Sequence, residues 1–107
     1  MNIHFSGQNT DVTLAIENHI RQKFKILEKH STFIVDIHVN LKVQKTQHFI
    51  EARVQVYGAT LFASTKQSDM YAGIDALTHK LDRQIIKHKE KLTSHHNKDV
   101  NHHRLNK

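Results

Sequence analysis

Four cationic residues, Lys80, Arg83, Lys87 and Lys91, follow one another at spacings of three, four and four, the interval that stacks side chains on one ridge of an α-helix. Earlier in the chain Arg21, Lys25 and Lys29 recur every four residues with Lys23 nearby, and His88 and Lys89 flank the later series. Rows of ammonium and guanidinium groups neutralise phosphodiester oxygens without reading bases, so the chemistry on offer is recognition of a polyanion by shape and charge. Either ridge alone would be an ordinary solvated helix face. Two of them on neighbouring helices predict one track matched to a phosphate spacing, interrupted at Glu28, Asp82 and Glu90. The 107-residue chain as a whole leans the same way, with 16 Lys/Arg against 10 Asp/Glu and a formal charge of +6.

Other chemistries find little support. Zero Cys excludes a disulfide scaffold, a thiol nucleophile and any thiolate metal site. No H-E-x-x-H, G-x-S-x-G, P-loop or G-x-G-x-x-G occurs. Asp69 and Asp75 fall on opposite sides of a helix, and Asp36 and Glu51 are expected to face each other across a hairpin as solvated charge beside Lys42 and Arg53. His19, His30, His38 and His48 read as surface residues. His95-His96 and His102-His103 offer imidazole nitrogens to a divalent metal, but no carboxylate or Cys completes a shell there, so no metal or cofactor is expected. Phe49, Tyr57 and Phe62, with His38, form a rival site, a stacking platform for unpaired bases on an open sheet face. Cross-strand pairing of these aromatic rings is the simpler expectation. No apolar run approaches the 18 residues of a membrane span and no leader-like segment opens the chain, so a cytoplasmic protein is expected.

The elements that must position the cations follow from periodicity. Residues 1–6 predict a short strand, Gly7-Gln8-Asn9 a turn, and Thr13 the N-cap of a helix carrying Ile16, Ile20, Phe24 and Leu27 to about His30. Val35, Ile37, Val39, Leu41 and Val43 then alternate with polar residues, as do Ile50, Ala52, Val54 and Val56, with a hairpin loop between at Gln44 to His48. Gly58 marks a second turn before a strand over Thr60 to Thr65, with Leu61 and Ala63 inward. Ser68-Asp69 caps a second helix, whose stripe of Met70, Ile74, Leu77, Leu81 and Ile85 ends near Leu92. The order is β-α-β-β-β-α. It predicts an α+β, two-layer sandwich: a four-stranded sheet, the first two strands parallel, with both helices on one face. Residues 1–92 form the domain; residues 93–107 lose all periodicity and read as a disordered, His-rich basic tail.

Five stretches carry a family likeness: KFKILEKH (Lys23 to His30), LKVQK followed by His48, YGATLFAS (Tyr57 to Ser64), DMYAGIDAL (Asp69 to Leu77) and KLDRQIIKHKEKL (Lys80 to Leu92). With them the chain resembles the short bacterial ribosome hibernation promoting factors and the related ribosome-associated translation inhibitors. The resemblance implies a fold like that of double-stranded-RNA-binding domains. It also implies a partner, the small ribosomal subunit, at the channel that holds messenger RNA and tRNA anticodon arms, where occupancy blocks translation and preserves idle ribosomes in stationary phase. Carried over by position, the basic helix residues of the family fall on Lys23, Lys25, Lys29, Lys80, Arg83, Lys87, Lys89 and Lys91, and Lys42 and Lys45 near the hairpin also match.

The resemblance is closer to the promoting branch, which pairs ribosomes with the help of a separate modulation factor; the free protein is expected to be a monomer. The reading from residues alone stops at RNA binding. It leaves open a general chaperone for structured RNA that uses the same surface without ribosomal specificity.

Overall fold

Alternation of apolar and polar side chains from Ile34 onward builds the centre of the molecule. In the computed structural model, which describes residues 2–104 and side chains through Leu92, strand β2 (Ile34–Gln44) pairs antiparallel with β3 (Gln47–Val56), setting Ile37 opposite Val54, Val39 opposite Ala52 and Leu41 opposite Ile50. Strand β4 (Ala59–Gln67) continues the meander, and β1 (Ile3–Gln8) adds in parallel to the other side of β2, giving the order β1-β2-β3-β4. Helix α1 (Leu14–Lys23) runs on into a 3-10 helix (Phe24–His30), and α2 (Met70–Arg104) follows β4. The architecture is the α+β sandwich expected from the periodicity.

One face of the sheet is apolar and both helices lie on it. Ile37, Val39, Leu41, Ile50, Val54 and Ala63 meet Ile20, Phe24 and Leu27 from the first helical segment and Ile74, Leu77, Leu81 and Ile85 from α2. Leu61 and Ala63 turn inward, as their alternation requires, and leave Phe62 half exposed on the open face. Gly73 lets α2 approach β3 closely, because a Cβ there would stand 2.5 Å from Ile50 Cδ1. The expected caps form: Thr13 Oγ1 accepts from Ile16 N at 3.2 Å, and Asp69, rather than Ser68, accepts from Ala72 N at 3.1 Å.

Several local expectations change. The first helix is not α-helical to His30. From Phe24 it tightens to three residues per turn, and the buried positions Phe24, Leu27 and His30 share that spacing. His30 is therefore not a surface residue: it is 5% exposed, and its Nε2 lies 3.1 Å from Asp82 Oδ1. Asp82, expected to interrupt a basic ridge, instead turns inward. Replacing Asp82 by Ala leaves a buried imidazole N–H without its acceptor and should cost about 1–3 kcal/mol in urea denaturation, with Asp82→Asn costing less.

The turns shift as well. Gly7 and Gln8 belong to β1, and the reversal falls on Asn9, at φ 59°. Lys45, at φ 58°, forms the β2–β3 turn with Thr46, shorter than the Gln44–His48 loop expected. Nothing in the chain breaks α2 after Gly73, since Pro is absent and no later Gly follows, and its backbone stays helical to Arg104 rather than ending near Leu92. The disordered, His-rich tail expected over 93–107 falls on residues whose side chains, and at 105–107 whose backbone, lie outside those described.

Candidate nucleic-acid interface

Helical spacing places Lys80, Arg83, Lys87 and Lys91 along one flank of α2, and contacts identify the flank. Lys80 Nζ donates to Ser64 O at 2.8 Å and Gln84 Nε2 donates to Phe62 O at 2.8 Å, both on β4, the edge strand. His88 Nε2 lies 3.2 Å from Tyr57 O, at the end of β3. Lys80, Gln84 and His88, four residues apart, thus lie along the β4 side, while Arg83, Lys87 and Lys91 project outward and are exposed. Neither Arg83 nor Lys87 has a carboxylate partner among the described residues. Gln84 was missed as a member of this flank, although its spacing from Lys80 and His88 was readable.

The opposite flank of α2 faces the first helical segment across a polar seam. Asp75 accepts from His19 at 3.2 Å and lies 3.7 Å from Lys23 Nζ, and the His19 ring packs edge-on against Tyr71. Further along, His30 donates through Nε2 to Asp82, which leaves Nδ1 as an acceptor for Lys89 Nζ at 3.4 Å. The same ammonium sits 5.9 Å from the centre of the Phe33 ring. Partners on the two segments rise in number together, so the segments run side by side in the same direction.

This arrangement corrects the single-track expectation. The α2 ridge borders the sheet edge, and the seam with its two carboxylates separates it from α1. The Arg21-Lys25-Lys29 ridge is also broken, because in a 3-10 helix residues four apart sit about 120° apart round the axis. Arg21 instead reaches over Phe5 of β1 at 5.2 Å. Lys23 and Lys29 share a line at multiples of three with Ile26, and Lys25 stands on another with Glu28. The helix layer is therefore a broad cationic surface with paired acids in its middle, not a pair of aligned rails.

The hairpin lysines lie elsewhere. Lys42 is on the open sheet face, 5.9 Å from the Phe49 ring centre, and Lys45 is at the hairpin tip, near the start of α2. Seventeen helical residues, about 25 Å, separate that end of α2 from Lys87. Nor do the aromatic rings of the open face pair with each other. Phe49 stands opposite Lys42 and Lys66, and Phe62 stands opposite Arg53, about 13 Å along the strand from Phe49. Asp36 faces Gln55, not Glu51, whose partner is Asn40.

Comparison with known proteins agrees with this fold. A family model described as Sigma 54 modulation protein / S30EA ribosomal protein matches residues 3–93. The ribosome hibernation promoting factor of Pseudomonas putida is 42% identical over 94 residues, covering 88% of this chain and 92% of that protein. The protein of the same name from Escherichia coli strain K12 is 40% identical over 95 residues, covering 89% and 100%. Among solved structures, a ribosomal subunit interface protein from Coxiella burnetii superimposes with a TM-score of 0.79 at 30% identity, covering 83% of this chain and 98% of that one. The N-terminal domain of Thermus thermophilus Protein Y shares the fold, with a TM-score of 0.73 at 24% identity over 79% and 96%. The chain belongs to the S30EA family of ribosome hibernation promoting factors, whose members are not enzymes.

Proposed function

We propose that this protein binds the small ribosomal subunit through the cationic surface of its helix layer, seated in the channel for messenger RNA and tRNA, and so silences translation in stationary phase. The observation that carries the reading is the outward flank of α2, where Arg83, Lys87 and Lys91 are exposed above an edge that already holds Lys80. The names of the relatives, a hibernation promoting factor and a ribosomal subunit interface protein, support the choice of partner. No chemistry is required of the silencer. A rigid two-layer wedge excludes whatever shares its site, and the tightly packed core under both helices keeps it rigid.

Lys23 and Lys89, engaged at the seam, shape this surface and lend it potential, whereas Lys25, Lys29 and Arg21 extend it. Lys42 and Lys45 are assigned to a second contact at the hairpin end. The site of action is the cytoplasm, where ribosomes are, and no helix among the described residues is long and apolar enough to cross a membrane. Pairing of the silenced ribosomes is assigned to joint action with a separate modulation factor.

Sedimentation of stationary-phase extract in low salt tests the reading. The protein should travel with ribosomal particles, and its recovery at the top of the gradient would overturn the proposal. With about 5–8 phosphate contacts, the log–log slope of affinity against salt should be roughly −4 to −7. An excess of bulk structured RNA should not displace the protein from empty ribosomes; displacement would identify a general RNA chaperone instead.

A further inference from the structure

The open face of the sheet carries three groups that the helix layer does not use. His4 on β1 and His38 on β2 are register partners on adjacent parallel strands, and Asp36 lies two residues before His38 on the same face. Asp36 bridges the Nε2 edges of the two rings. Its Oδ1 is 3.0 Å from His4 Nε2 and its Oδ2 is 3.3 Å from His38 Nε2, while the rings stack with centroids 4.6 Å apart and planes at 19°. All three donor atoms fall within 4.8 Å of one another.

We propose that His4, Asp36 and His38 form a binding site for a divalent cation of the zinc class. The donor set is two imidazole nitrogens and one carboxylate oxygen, the composition of three-ligand zinc sites that keep a position for solvent. Around a tetrahedral ion with bonds of about 2.0–2.1 Å, neighbouring donors stand about 3.3–3.4 Å apart. His4 Nε2 and His38 Nε2 now meet different oxygens of Asp36, so an ion held by one of those oxygens draws both rings out of their stack until their lone pairs converge on it. Paired strands supply all three ligands, and their register fixes where the side chains leave the backbone. Two of the three, His4 and His38, line a concavity of about 440 Å³ that also includes Ser6, Asn40, Glu51 and Arg53, which gives an ion access and room for its solvent ligands.

Without a metal, each ring can donate an Nε2–H to Asp36 as its neutral tautomer. One dication satisfies the carboxylate and both lone pairs together. It would also clip β1, an edge strand, onto β2. The site stands apart from the α2 flank that carries the RNA-binding reading, since it lies on the open face of the sheet.

Zinc chloride titrated into the full-length chain provides the test, read by nitrogen-resolved spectra of the histidine rings. The chain carries H95Q, H96Q, H102Q and H103Q, which removes the imidazoles most able to compete. The Nε2 resonances of His4 and His38 should move together and saturate at one equivalent, and amide exchange along β1 should slow. Replacing Asp36 by Ala should abolish the joint shift, and His38→Gln should abolish the response of His4. Resonances of both rings that stay fixed in excess zinc, or movement of only one ring, would overturn the proposal. All three side chains are at least partly exposed, so the variants fold, and their amide spectra provide the check.

Discussion

A chain carrying Arg83→Glu, Lys87→Glu and Lys91→Glu is expected to lose ribosome affinity by about a hundredfold or more, with its salt slope reduced by roughly three. Each side chain is exposed on the outer flank of α2, so reversing the charges places three repulsive groups where the phosphates would lie. Stability should change little, because exposed substitutions of this kind usually fall within about 0.5 kcal/mol each. Lys80 is left in place on purpose. Its ammonium donates to Ser64 O, and Lys80→Glu would disturb the rim of the sheet as well as the surface charge. Filter binding to purified small subunits across a salt series measures both the affinity and the slope. An unchanged affinity would move the interface to the open sheet face, with Arg53 and Phe62 as the next residues to test.

The largest effect on stability is expected from Phe24→Ala, at about 3–5 kcal/mol. Phe24 is completely buried at the point where α1 gives way to the 3-10 helix, packed among Ile20, Leu27 and the sheet. A loss of that size consumes much of the roughly 5–15 kcal/mol that holds a domain of this kind together. Ile26→Ala, two residues on, should cost far less, because Ile26 is 39% exposed. Urea denaturation of the two variants compares them directly. Similar losses would mean that the segment does not keep the three-residue register described here.

Local pattern made the sheet readable. Strict alternation in β2 and β3 fixes which face is apolar, and two apolar helical stripes must cover it, so element order alone leads to the sandwich. The change at Phe24 was legible in part. The apolar spacing moves from four (Ile16, Ile20, Phe24) to three (Phe24, Leu27), and continuing by three arrives at His30. What hid it was His30 itself, since a polar residue at the end of the stripe is ordinarily at the surface. Only the arrival of Asp82, fifty-two residues later, makes its burial affordable.

The cationic residues were legible as residues but not as a surface. Helical spacing groups Lys80, Arg83, Lys87 and Lys91 correctly, yet which flank of α2 meets α1 depends on packing across the core. Lys23 and Lys89 look like free phosphate ligands until Asp75, His30 and Phe33 come within reach of them. His4, Asp36 and His38 were invisible as a set for the same reason. Thirty-two residues separate the first two, and only the parallel register of β1 on β2 makes them neighbours.

The contacts of Lys80 and Gln84 with the carbonyls of Ser64 and Phe62 have a consequence for how the protein survives in bulk. An outermost strand with vacant acceptors is a template on which another polypeptide can grow cross-β fibrils. Here two of those acceptors are already capped from within by the chain's own side chains, so growth from that rim would first have to uncap them. The chain gains colloidal safety from the very helix whose other residues are assigned to RNA.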